Sequence, residues 1–206
     1  PGDSFDEICW KATARRSRPV VKQFQTEHSQ EVYAVVDASR LTARGDALER
    51  YVNAALHLLI TAEQQGDRIG LITFSDQVHK LVKAANGRGH FRACREAIFA
   101  LQPRRVSPDY RELFTSIQLN LHKRSLLVVL TALDDPALAE SFLNGLPRIA
   151  RRHLVSVNVL RGAGVGPLFT EGTSTDPYEA LAGQLVSNKL KAVERSLELA
   201  GIRFAM

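Results

Sequence analysis

Two short runs, Glu31 to Asp37 (EVYAVVD) and Ser125 to Thr131 (SLLVVLT), are apolar at almost every position, and each is too short for a helix of ordinary length. A strand that is apolar on both faces must be buried on both faces, which happens in parallel sheets covered on each side by helices. Between the two runs Leu48, Tyr51, Val52, Ala55, Leu56, Leu59 and Ile60 recur at helical spacing, from near Asp46 to just before Gly66. That stripe is the cover one face of such a sheet requires.

The rest of the chain continues the alternation. Arg18 to Thr26 and Arg68 to Phe74 read as extended, and after Ser75-Asp76-Gln77 the run Val78 to Val82 suits an antiparallel partner reached by a tight turn. Asn86 to Gly89 reads as a loop, followed by a helix carrying Phe91, Cys94, Ile98 and Leu101 and ended by Pro103. A further helix opens at Ser107-Pro108-Asp109, where Ser or Asp caps the first turn, and runs to about Lys123. Pro136 to Arg151 is helix, His153 to Leu160 strand, Pro177 to about Leu199 a long amphipathic helix, and Ile202 to Phe204 a last edge strand. This order predicts a three-layer α/β sandwich: a mostly parallel sheet with one antiparallel edge strand and helices on both faces.

The charge and motif content excludes several functions. No apolar run approaches the roughly 18 residues that span a bilayer. The two cysteines, Cys9 and Cys94, are too sparse for a disulfide framework and lie in no zinc-binding spacing, which favours a reducing compartment. The chain opens at Pro1 without Met or a signal-peptide pattern and is read as a fragment. His28, His79, His90, His122 and His153 show no HxxxH or HExxH spacing. Ser39, His57 and Asp46 are the residue types of a nucleophilic triad, but no GxSxG turn presents a serine. Gly162 to Gly166 follows a strand yet opens no helix, so it lacks the geometry of a phosphate loop, and no Walker motif exists. The basic cluster Lys11, Arg15, Arg16, Arg18 and Lys22 can meet nucleic acid, anionic lipid or an acidic protein surface. It lacks the interleaved aromatics that stack bases, so no nucleic acid is expected; Arg15, Arg16 and Arg18 are expected as a presented basic patch.

In sheets of this kind ligands gather at the carboxyl ends of the strands, near the point where strand order reverses. The candidate loops are therefore residues 37–44, 75–77, 104–109 and 131–135. Asp37-Ala38-Ser39 offers carboxylate and hydroxyl oxygens, and Asp134 and Asp135 lie in the fourth loop; such oxygens suit a hard cation such as Mg²⁺.

Specific segments carry a family resemblance. Gly2-Asp3, Cys9-Trp10-Lys11-Ala12-Thr13-Ala14-Arg15, Val20-Val21-Lys22-Gln23-Phe24 and Glu27, with Gly66-Asp67-Arg68-Ile69-Gly70-Leu71-Ile72-Thr73-Phe74-Ser75, resemble the bacterial family catalogued as domain of unknown function 58. The resemblance implies an N-terminal extended signature segment (1–30) packing on a von Willebrand factor A-like, Rossmann-like domain (31–206), with Trp10 buried across it. It implies association with a MoxR-type AAA+ ATPase in a chaperone or complex-assembly system. It also implies a parent protein anchored by membrane segments and facing the cytoplasm. Domains of this fold often hold a divalent ion through Asp-x-Ser-x-Ser, a Thr and a later Asp. Here Asp37 and Ser39 match, while Leu41, Pro108 and Ala132 stand at the other positions. A degenerate site without tight metal follows, the remnant Asp37 and Ser39 serving as strand-end caps, with no cofactor. The expected function is non-enzymatic protein docking through Asp37, Ser39, Leu41, Pro108, Asp109, Ala132 and Asp134, made more apolar by the replacements. The alternatives are a Mg²⁺-dependent adhesion-type site, a hydrolase using Ser39 or a metal at Asp37, and a nucleic-acid or anionic-lipid binder.

Overall fold

The computed structural model describes residues 10–16, 29–43, 45–160, 165 and 176–205. In chain order the elements are α1 (Trp10–Arg16), β1 (Glu31–Asp37), α2 (Ala47–Gln64), β2 (Arg68–Phe74), β3 (Val78–Ala85), α3 (Arg88–Phe99), α4 (Tyr110–Asn120), β4 (Ser125–Leu130), α5 (Pro136–Ala150), β5 (Leu154–Asn158), α6 (Pro177–Leu199) and β6 (Arg203–Ala205). The six strands form one sheet in the order β3-β2-β1-β4-β5-β6. Neighbours pair in parallel except β3, which returns antiparallel on β2 as an edge. The doubly apolar runs are the two central strands, β1 beside β4, as their composition demands.

Each face of the sheet builds its own core. On one face Tyr33, Val35, Ile72, Phe74, Leu127, Val129, Val155 and Val157 meet α4, α5 and α6, with Tyr110, Phe114 and Phe142 in mutual ring contact. On the other face Val32, Ala34, Val36, Ile69 and Leu71 meet Tyr51, Ala55 and Leu59 of α2 and Cys94 and Ile98 of α3. The edges are blunted as edges in soluble sheets are: β3 exposes Lys80 and Lys83, and β6 spans only three residues. No helix among the described residues is long and apolar enough to cross a membrane.

Some expected boundaries move. Helix α3 opens at Arg88, inside the run read as a loop, because Gly87 takes φ 102 and turns the chain directly into the helix. Residues 10–16 are helical rather than extended, in keeping with the helix-forming Lys, Ala and Arg there. Trp10 is 64% exposed, not buried, and joins neither core among the described residues. The extended run 18–26, Arg18 of the basic patch and the glycine loop 162–164 lie outside the described residues, as do Cys9 and the side chain of Arg16; Arg15 is exposed on α1. Cys94 is buried and free, its thiol pushed up to about 11 by burial.

At the amino end of the strands His153 is 2% exposed, its Nδ1 accepting from Ser125 N–H at 3.3 Å while its Nε2 has no partner among the described residues. Burial, joined by the Arg152 charge, holds this imidazole below its ordinary value, with Glu31 opposing. A folded value below the unfolded one means that stability is intact above about 6.5 and is lost as pH falls from there through the folded value. The urea midpoint is therefore expected to drop between pH 7 and 5. His153→Asn, which keeps an acceptor for Ser125 N–H, is expected to flatten that slope; an unchanged slope contradicts the assignment.

Candidate functional site

Strand order reverses between β1 and β4, so the crevice of interest opens where Asp37 ends β1 and Thr131 follows β4. Asp37 is fully buried, and both of its oxygens are occupied: Oδ1 accepts from Ser39 N–H at 2.8 Å and Oδ2 from the Thr131 hydroxyl at 2.6 Å. Since the Thr131 proton goes to Asp37, the Tyr110 hydroxyl 3.0 Å away is the donor to Thr131 Oγ1. Tyr51, from α2, donates to the Thr131 carbonyl and accepts from Leu160 N–H at 3.0 Å. A carboxylate, a threonine and two tyrosines thus form one buried relay tying β1, β4, α2, α4 and the chain after β5 together.

The electrostatics follow from burial. Asp37 is raised above the ordinary carboxylate value by desolvation, with the Thr131 and Ser39 hydrogen bonds pulling the other way. Tyr51 and Tyr110 are raised strongly, first by burial and further by the charge of Asp37. Each buried hydroxyl therefore stays protonated and keeps donating.

The loops over this relay are zipped to one another. Arg104 N–H donates to Ala38 O at 2.7 Å and Arg40 N–H to Val106 O at 2.9 Å, joining loops 38–42 and 104–107. The Arg40 guanidinium donates to Ser107 Oγ at 2.9 Å and pairs with Asp135 at 3.2 Å, fastening the fourth loop as well. Asp109 N–H donates to Ser75 O at 2.9 Å, which brings in the hairpin turn. All four loops singled out from the sequence converge here.

The residues expected to present a docking surface largely do not. Asp37, Ser39, Leu41, Pro108 and Ala132 are buried; Asp109 is exposed and Asp134 half-buried. Leu41 turns inward while its N–H donates to Ser39 Oγ at 3.3 Å, so the apolar replacements add to packing instead of making the surface apolar. What is exposed on loop 104–109 over the strand ends is polar: Arg104, Arg105, Ser107 and Asp109. Ser39 is not brought to His57, which lies exposed on α2, and Asp46 makes no side-chain cap at that helix's start. Asp109 and Asp135 cap α4 and α5 by accepting from Glu112 and Ala137 N–H. Among the described residues no group of three or more His, Cys, Asp or Glu stands close enough to hold a metal ion.

Tyr51 and Tyr110 escaped sequence reasoning, and Arg40 and Thr131 fell inside candidate loops without being given a role. Tyr51 counted as one apolar position of the α2 stripe, and the polar end of a tyrosine leaves no trace in a periodicity.

The sheet order and strand-end crevice define a von Willebrand factor A-like domain. Solved structures agree in fold: an aerotolerance-related membrane protein of Bacteroides fragilis (TM-score 0.50, 12% identity, 83% of this chain and 100% of that one) and the pilus adhesin SpaC of Lactobacillus rhamnosus GG (TM-score 0.50, 13% identity, 88% and 28%). The family model described as protein of unknown function DUF58 matches residues 1–163, and the chain belongs to that family. An uncharacterized protein of Mycobacterium tuberculosis, Rv1480, is 25% identical over 167 residues, covering 78% of this chain and 52% of that protein. The chain spans about half the length of the curated relatives it matches.

Proposed function

We propose that this chain is a non-enzymatic protein-docking module that works without a bridging metal, with a MoxR-type AAA+ ATPase as partner on the cytoplasmic side of a membrane. The observation that carries the metal-free reading is the Asp37 carboxylate, each oxygen of which accepts a hydrogen bond, from Ser39 N–H and from the Thr131 hydroxyl, inside a fully buried site. Mg²⁺ demands near-octahedral oxygen ligation. Leu41, Pro108 and Ala132 supply no side-chain oxygen, Asp37 and Thr131 are turned to one another, and Asp134 stands in no group of three possible ligands among the described residues; the residues do not fit the ion. Docking, as opposed to catalysis, is supported by the same burial: Ser39 is fully enclosed, and the exposed His57 is not brought to it. The ATPase as partner rests on the family resemblance.

The test is capture of the MoxR-type ATPase encoded by the same organism, in nucleotide-free form with EDTA and again with ATP and Mg²⁺. Capture that survives EDTA is expected. Capture abolished by EDTA overturns the metal-free reading, and no capture in either condition overturns the partner.

A further inference from the structure

A cavity of about 450 Å³ opens beside the strand ends, between the carboxyl end of α3 and the β2–β3 hairpin. Its floor is small and apolar, with Ala97 and Leu101 from α3 and the stretch after it, and its rim carries His79, Lys80, Gln102 and Arg104. Lys80 is held there as the cross-strand neighbour of Thr73, and Arg104 by its N–H bond to Ala38 O. Three acids of this end of the molecule have partners of their own, although Asp76 also stands 3.8 Å from His79 and feels the Arg104 charge. Asp76 takes the Ser75 hydroxyl at 2.7 Å, Asp109 caps α4, and Asp135 caps α5 while pairing with Arg40. Lys80 and Arg104 belong to no ion pair among the described residues. Ala100 and Leu101 N–H cover two of the last carbonyls of α3, Glu96 O and Ile98 O.

We propose that this cavity receives an acidic side chain of the partner, its carboxylate held by Arg104 and Lys80 and an aliphatic neighbour laid on Ala97 and Leu101. A guanidinium matches a carboxylate in a planar two-point contact, and a lysine adds a point charge beside it. The volume lies within the range of small-molecule sites, roughly 300 to 1,000 Å³, and so leaves room for an acidic side chain with an aliphatic neighbour. The inference rests on reading the chain as a docking module and names the chemistry that module recognises. His79 reports on it. Lining the cavity with Lys80 and Arg104, 3.8 Å from Asp76 and 2.6 Å from Ser75 Oγ, its imidazole lies below the ordinary value through burial and the Arg104 charge, with Asp76 opposing. A bound carboxylate raises it.

The test uses the ¹⁵N-labelled chain and the peptide acetyl-Leu-Glu-Glu-Leu-amide, against its Gln-Gln analogue and inorganic phosphate at matched ionic strength. Saturable shifts at the Thr73, Ala97 and Leu101 amides are expected, together with an upward move of the His79 titration. Binding by the Gln peptide and by Lys80→Glu or Arg104→Glu is expected to be weaker by about tenfold or more, with Lys83→Glu unchanged. Absence of saturable shifts, equal binding of the Gln peptide, or an unaffected Arg104→Glu overturns the cavity; phosphate binding as well as the Glu peptide overturns the carboxylate assignment. The same variants enter the ATPase capture. Peptide binding without wild-type capture refutes the docking partner and leaves the cavity, whereas capture that persists in Arg104→Glu without peptide binding refutes the cavity alone.

Discussion

Replacing Thr131 by valine is expected to lower the unfolding free energy by about 2 to 4 kcal/mol, a large loss for a substitution that barely changes volume. The hydroxyl has two tasks. It donates to Asp37 Oδ2 at 2.6 Å and accepts from Tyr110, which is otherwise left with the Ala132 carbonyl at 3.4 Å. Valine strands a fully buried carboxylate oxygen and weakens a buried phenol together, and an unmet buried polar group costs its desolvation. Thr131→Ser, which keeps the hydroxyl, is expected to cost under about 1.5 kcal/mol, the scale of a removed methyl. In an Asp37→Asn background valine at 131 strands no carboxylate, so the cycle should show a coupling of about 1 kcal/mol or more. Urea denaturation followed by far-UV circular dichroism measures the four chains of the cycle and Thr131→Ser. Additive losses would mean that the relay carries no shared energy.

How much of this was legible beforehand differs between backbone and side chain. The positions of β1 and β4 followed from runs that only a doubly covered strand tolerates, and the convergence of the loops at Asp37 and Thr131 followed from strand order. The direction of the side chains did not follow. Leu41 and Ala132 were expected on the surface because they stand where a ligand oxygen is usual, yet an apolar residue at a closing loop lowers its free energy by turning inward, and both are buried. Arg104 shows the other limit. Its bond to Ala38 O joins residues 66 positions apart, and no local pattern encodes a contact between two irregular loops.

Gly70→Ala should cost about 3 kcal/mol although it adds a single methyl to a strand, where alanine is otherwise the better residue. Gly70 sits directly opposite Tyr33 in the β1–β2 register, and a Cβ built there would run into the Tyr33 ring. That ring cannot step aside cheaply. Tyr33 is 3% exposed in the core under α4 and α5, and its hydroxyl accepts from Ala84 N–H on β3 at 2.9 Å, which ties the edge hairpin to the centre of the sheet. A displaced ring therefore loses its packing and loosens β3 as well. Hydrogen exchange should register both parts, with the global loss in the slowest amides and a larger local loss at Ala84. Tyr33→Leu removes the ring and the hydroxyl, so in that background Gly70→Ala is expected to be nearly neutral. An alanine that remains as costly in the Tyr33→Leu background would mean that the glycine serves the backbone and not the ring.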